Sequence, residues 1–227
     1  MDKRKQLLIW LSTFLFSACA AGQSETWEID NLKEIGGHDV IVIGNPEVIE
    51  TELGPAVFFD GEGDMLLVDF NPIAEALAFT VEVVFKPIAC YPENIAPRFV
   101  HIQDPDDPDQ KRLMIELRIN EKNQCYLDGF MRSDTGSLVL IDETLVHATG
   151  KWLHAAITFD HGAMTTYFNG EKELSGRLWY AETIITPGGE VSLGARMNKR
   201  SWFNGFIKTL KVSHAVLDPR DFIQLAD

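Results

Sequence analysis

The chain has 227 residues, 45% of them hydrophobic, with a formal net charge of −14 at pH 7 and a pI near 4.8. That is enough for one domain with its own core, and a mean hydropathy of −0.05 excludes a polytopic membrane protein. The acidity opposes phosphate backbones and anionic lipid surfaces, which excludes nucleic acid as a partner and favours neutral ligands such as sugars, or cations.

Residues 1–18 do not read as part of the fold. "MDKRKQLLIWLSTFLFSACAAGQ" opens on Lys3, Arg4 and Lys5, continues with an apolar run from Leu7 to Phe16, and ends in small residues. This is the pattern of a secretory signal, too short to anchor in a bilayer. Its removal leaves a net charge of −16. "LFSAC" resembles a bacterial lipobox, with Ser17 and Ala18 before Cys19, although Phe16 stands where an aliphatic residue is usual. Lipidation at Cys19 is one expectation; ordinary cleavage near Ala20 or Gly22 is the other. Both imply export: to the cell envelope (periplasm or cell surface) on a lipid anchor, or into the medium. Membrane contact would then come only through an N-terminal lipid. Cys90 and Cys125 remain, and either a disulfide or two buried thiols fits an oxidising compartment.

Residues 19–30 read as a polar tether and residues 31–227 as the folded domain. "HDVIVIG" (38–44) is a compact β-branched run. "AVFFDGEGDMLLVD" (56–69) reads as two short strands around an acidic glycine turn. Residues 72–78 suit one helical turn. In "AFTVEVVFKP" (78–87), Phe79, Val81, Val83 and Phe85 alternate with Ala78, Thr80, Glu82 and Val84, which predicts a strand with one strongly apolar face. "RFVHIQ" and "KRLMIELRIN" are the next strands, separated by the loop "DPDDPDQ" (104–110), and "QCYLDGFM" and "SLVLIDE" continue the series. In "GKWLHAAITFDHGAMTTYFNGEKE" (150–173), Leu153, Ala155, Ile157 and Phe159 share a strand face. His161-Gly162 and Asn169-Gly170 turn the chain, which predicts a three-stranded meander. A last helical turn fits "DPRDFIQL" (218–225). Many short strands with closely spaced turn signals predict an all-β sandwich or barrel.

Five blocks in order resemble the laminin-G-like domains of the concanavalin A-like lectin/glucanase superfamily. They are "GPAVFFDGEGDMLLVD", "FTVEVVFKP", "GKWLHAAITFD", "TTYFNGE" and "VSLGARMNKRSWFNGFIKTLKVSHAVLDPRDF", together about residues 36–223. The resemblance implies a jelly-roll sandwich of two antiparallel sheets, one of them concave. It also implies that Trp152 packs in the core, that His154 is scaffold, and that "FDGEGD" is a hairpin. Relatives often hold calcium near that hairpin, which makes Asp60 and Asp64 candidate ligands. A plain turn is the alternative, because Ile207-Lys208-Thr209 stands where the family usually has Ile-Asp-Glu.

Retaining glucanases of this superfamily carry alternating acids on one strand, so that two carboxyl groups flank one bond. Here Glu28-Ile29-Asp30 is followed only by Glu34, Glu82 stands alone, Asp142 and Glu143 are adjacent, and Glu116 is followed on its face by Arg118. No His-Glu-x-x-His or Gly-x-Ser-x-Gly occurs, and the six histidines are scattered. Binding is the better expectation. A sugar needs an aromatic platform beside planar polar groups. Two segments offer that: "RLWYAE" with Trp179 and Tyr180, and "GARMNKRSWFNG" with Arg196, Asn198, Arg200 and Trp202. The leading expectation is therefore an exported, non-catalytic domain that binds glycans or glycoconjugates, with no required cofactor and calcium as a candidate. A glycoside hydrolase with carboxylates assembled from separate strands is an alternative, as is an interaction subunit with a protein partner.

Overall fold

The computed structural model describes residues 23–89, 91–107, 110–179 and 187–225. Among these residues seventeen strands follow in chain order. They are β1 (Ser24–Glu28), β2 (Glu34–Ile35), β3 (His38–Ile43), β4 (Glu47–Thr51), β5 (Gly54–Asp60), β6 (Met65–Val68), β7 (Ala78–Pro87), β8 (Arg98–Gln103) and β9 (Arg112–Ile119). There follow β10 (Gln124–Arg132), β11 (Ser137–Ile141), β12 (His147–Ala148), β13 (Leu153–Asp160), β14 (Ala163–Phe168), β15 (Glu171–Arg177), β16 (Glu190–Leu193) and β17 (Asn204–Ser213). A 3-10 turn, Pro219–Asp221, follows β17.

The strands form two antiparallel sheets. The first has the order β15-β14-β13-β7-β17-β5-β4, with β1 also on β17; the second runs β11-β10-β9-β8-β16-β6-β3-β2, with β12 on β10. The core between them is built by the alternation visible in the sequence. Phe79, Val81, Val83 and Phe85 of β7 and Leu153, Ala155, Ile157 and Phe159 of β13 all point inward. From the second sheet come Val100 and Ile102 of β8, Leu113, Ile115 and Leu117 of β9, and Val191 and Leu193 of β16. Phe85, Phe99 and Phe203 pack as a ring cluster, with centroids 4.5 to 6.5 Å apart. Such burial is the main stabilising term of the fold. The predicted meander is present as β13-β14-β15.

Four expectations change. Residues 24–28 are not tether: they pair with β17, and Trp27 and Ile29 are buried in the core. "FDGEGD" is not a hairpin: β5 lies in the first sheet and β6 in the second, so its turn carries the chain across the sandwich. Residues 72–78 form turns without a helix. Trp152 lies outside the core. It is half-buried on the outer face of the first sheet, near Phe206 and Lys86, because Leu153 beside it takes the inward direction.

Candidate functional site

On the outer face of the second sheet, the alternate residues are strongly polar. Strand β9 presents Arg112, Met114, Glu116 and Arg118, while its neighbour β10 presents Tyr126, Asp128, Phe130 and Arg132; their inward neighbours belong to the core. The register sets Asp128 opposite Glu116 and Arg132 opposite Arg112. Strand β8 adds Arg98, opposite Glu116, and His101.

The segment from Gly194 to Phe203 folds back over this face. It leaves β16 at Gly194, whose φ is +85°, and is closed by Phe203 N–H donating to the Gly194 carbonyl at 2.7 Å. Inside it, Arg196 N–H donates to the Arg200 carbonyl at 3.0 Å. It is fastened to β8 by side chains and backbone: Met197 N–H donates to His101 Nδ1 at 3.0 Å, the Arg98 guanidinium donates to Ser201 Oγ at 2.5 Å, and Arg98 N–H donates to the Ser201 carbonyl at 2.9 Å.

The electrostatics follow from this crowding. Arg118 donates twice to Asp128 Oδ2, at 2.8 and 2.5 Å, and the same guanidinium lies 3.8 Å from Glu116. Arg98 Nε is 3.1 Å from Glu116 Oε2. Burial raises the Glu116 pKa, with nearby Asp128 adding and Arg98 opposing. Arg112 stacks over the Phe130 ring at 4.7 Å and donates to the Gln110 carbonyl. Its own pKa falls to about 10 through burial and the charges of Arg196 and Arg132. Burial, followed by Arg196, Arg112 and Arg98, pushes His101 down to about 3. Arg112 Nε, His101 Nε2 and Asp128 Oδ1 are buried without a hydrogen-bond partner among the described residues.

Arg196, Asn198, Arg200 and Trp202 share this one segment; Asn198 and Arg200 are exposed and Trp202 half-buried. Trp179 stands apart. It is 67% exposed at the end of β15, beside Arg177, and its carbonyl accepts from Thr135 in the β10–β11 turn. Tyr180 lies outside the described residues, as do Cys19 and Cys90; Cys125 is a buried free thiol with its pKa pushed up to about 12. Arg98, Arg112, Arg118, Arg132, Tyr126 and Phe130 were missed by sequence reasoning. For all but Arg98, which lies on β8, the signal was present in the i, i+2 spacing along β9 and β10.

The acidic turn has a structural role. Asp64 is buried and accepts from the amides of Asn45 and Asp60, while Asp60 Oδ1 accepts from those of Glu62 and Gly63. Calcium takes six to eight oxygen ligands, and with three of these four carboxylate oxygens held by amides the pair does not fit it. No group of three acidic, histidine or cysteine side chains among the described residues could hold a metal.

A second polar cluster lies on the outer face of the first sheet. Glu82, fully buried, accepts from Lys211 Nζ at 2.7 Å and Ile223 N–H at 2.6 Å and lies 3.1 Å from His154 Nε2. The carboxylate anchors the C-terminal segment across the sheet. Beside it, Trp152, His154, Asn169 and Glu52 line an open depression of about 780 Å³.

A laminin G profile described as the concanavalin A-like lectin/glucanases superfamily matches residues 60–221. Among solved structures, the chain is similar to domain 4 of AbnA, a GH43 extracellular arabinanase from Geobacillus stearothermophilus, in complex with arabinotriose. The identity is 18% over 88% of this chain and 96% of that one, with a TM-score of 0.64. It is also similar to the botulinum neurotoxin serotype D binding domain, at 16% identity over 87% of this chain, with a TM-score of 0.60. A third is a botulinum neurotoxin type C structure from work on cell entry that depends on two ganglioside molecules, at 12% identity over 87% of this chain, with a TM-score of 0.60. This chain spans 49% of each toxin chain. No curated protein sequence matches it. With the two-sheet sandwich and the matched span together, the chain belongs to the concanavalin A-like lectin/glucanases superfamily.

Proposed function

We propose that this protein is an exported, non-catalytic domain that binds a glycan or glycoconjugate at the bacterial cell envelope, on the outer face of its second sheet. The observation that carries the reading is the gathering of guanidinium groups with the rings of Tyr126 and Phe130 on that face, under a segment that brings Arg196, Asn198, Arg200 and Trp202. Planar donors satisfy sugar hydroxyls and rings take the apolar sugar face. The arabinotriose complex of a similar domain supports the reading by analogy of fold. Trp179, apart from this face, is an exposed ring beside Arg177 and the β10–β11 turn. Cys19 stands five residues before β1, so a lipid there would hold the domain within about 18 Å of the bilayer.

Glu116 and Asp128 give hydrolysis a specific footing, since they face each other across two strands. Arg118 weakens it by bridging both carboxylates, which occupies the place a glycosidic bond would need. A glycan array with the full chain tests both readings. Retention on a glycan is expected, falling at least about tenfold in Trp202→Ala or Trp179→Ala, with no reducing sugar released. Sugar release that disappears in Glu116→Gln would establish the hydrolase instead. Binding should survive a chelator, given how Asp60 and Asp64 are engaged.

A further inference from the structure

We infer that the arginine face selects glycans bearing carboxylate groups, that is, uronate-type acidic saccharides; the inference rests on the glycan-binding reading of this face. Six of the nine arginines in the chain are gathered here: Arg98, Arg112, Arg118, Arg132, Arg196 and Arg200. The acids set among them, Glu116 and Asp128, are taken by Arg98 and Arg118. Arg112, Arg132, Arg196 and Arg200 make no ion pair among the described residues. A chain of net charge −14 thus gathers four arginines without an ion-pair partner on a single face.

The arrangement is costly as scaffold. Arg112 and Arg196 are each disfavoured by burial and then by neighbouring arginines. His101, buried among them, stays neutral and offsets nothing. A fold seldom keeps like charges together without a function that uses them. A bound anion would relieve the repulsion, and a guanidinium fork matches a planar carboxylate with two parallel hydrogen bonds. Arg112 is held by the Phe130 ring and the Gln110 carbonyl, with Nε buried and without a hydrogen-bond partner among the described residues, while Arg132 and Arg200 present exposed forks.

The face also limits what can bind. Glu190 lies at the end of β16 beside Gln103, and Asp69, Asp104 and Asp106 lie close enough to raise its pKa further after burial. This acidic rim confines an anion to the region around Arg112 and Arg196. A short run of acidic sugar residues fits that charge map better than a long uniform polyanion. The preference for neutral ligands drawn from net charge gives way here to the local distribution.

The test uses affinity electrophoresis of the full chain through gels containing polygalacturonate, its methyl ester, dextran sulfate or neutral arabinan. Polygalacturonate should retard the protein with an affinity at least about tenfold above that for the ester, and the affinity should fall between about 50 and about 200 mM salt. Arg196→Gln and Arg132→Gln should each weaken it about tenfold with unchanged urea midpoints, whereas Arg220→Gln and Lys33→Gln, away from the face, should not. Equal retardation by acid and ester, or binding only to arabinan, overturns the acidic selection and leaves glycan binding standing. A preference for dextran sulfate overturns the carboxylate assignment, and equal losses in the control variants overturn the assignment to this face. Binding to no glycan, here and on the array, overturns both readings.

Discussion

His101 is fully buried under the Gly194–Phe203 segment and accepts a backbone N–H at Nδ1, so the ring is held as the tautomer protonated at Nε2. Burial and the charges of Arg196, Arg112 and Arg98 lower its pKa to about 3, with Gln103 acting weakly the other way. Between that value and the unfolded one near 6.5, the unfolded chain binds a proton that the folded chain refuses. Stability therefore falls as pH drops through this window. From pH 7 to pH 5 the loss from this residue alone should be about 2 kcal/mol. His101→Gln, which can still accept the Met197 amide, should flatten that part of the slope in urea unfolding followed across pH; an unchanged slope would refute the assignment. In the sequence His101 was one of six scattered histidines with nothing to mark it, because its surroundings come from a segment about 95 residues later. Trp152 was different. Its position next to inward-facing Leu153 already required it to point outward, and the family resemblance outweighed that parity.

The elements divide along the same line. Strands β7 and β13 were readable because one face of each is uniformly apolar, and period-2 alternation against a core admits one register. The Asn169-Gly170 turn fixed the β14–β15 pairing locally. The acidic turn after β5 misled because a turn between two apolar strands looks the same whether they pair or diverge into opposite sheets. The facing of Glu116 and Asp128 depends on the length of the β9–β10 connection, and the candidate face on how Gly194 launches its segment. Gly194 has φ +85°, and a Cβ there would lie 2.2 Å from the Phe59 ring. Gly194→Ala therefore combines a disfavoured backbone with a clash in the core and should cost about 3 kcal/mol. It should also weaken glycan binding, because Arg196 two residues on would be displaced. A urea midpoint and a binding isotherm on the same sample check both; native stability with native binding would show that the segment tolerates another geometry.

For the molecule as a whole, composition reported the class correctly and the charge incompletely. An acidic total of −14 conceals a basic face, since net charge averages over a surface whose pattern is set by strand order. The N-terminal boundary was hidden for a related reason. "SETWE" is short, polar at alternate positions and without a neighbouring strand in sequence; its partner is the last strand, about 185 residues away.

That closure makes a sharp prediction about where the domain begins. Strand β1 occupies the edge of β17 from Thr209 to Ser213, continuing the line begun by β5, and Ile29 bridges the two by hydrogen bonds to Lys208 and Val57. Trp27 packs near Phe70 and His38, and Gly36 passes so close that a Cβ there would lie 2.2 Å from the indole. A chain starting at Asn31 would lose Trp27 and Ile29 from the core and expose an edge of β17. Truncating a buried Trp costs about 3–5 kcal/mol and a buried Ile about 2–5, against about 5–15 kcal/mol for the stability of a typical domain. The chain starting at Asn31 should therefore be unfolded or nearly so, Trp27→Ala should fall in between, and a chain starting at Gln23 should match the full one. Urea unfolding of the four proteins, followed by circular dichroism, decides it. Equal midpoints for the Asn31 and Gln23 forms would mean that β1 is an ornament on a sandwich already closed without it.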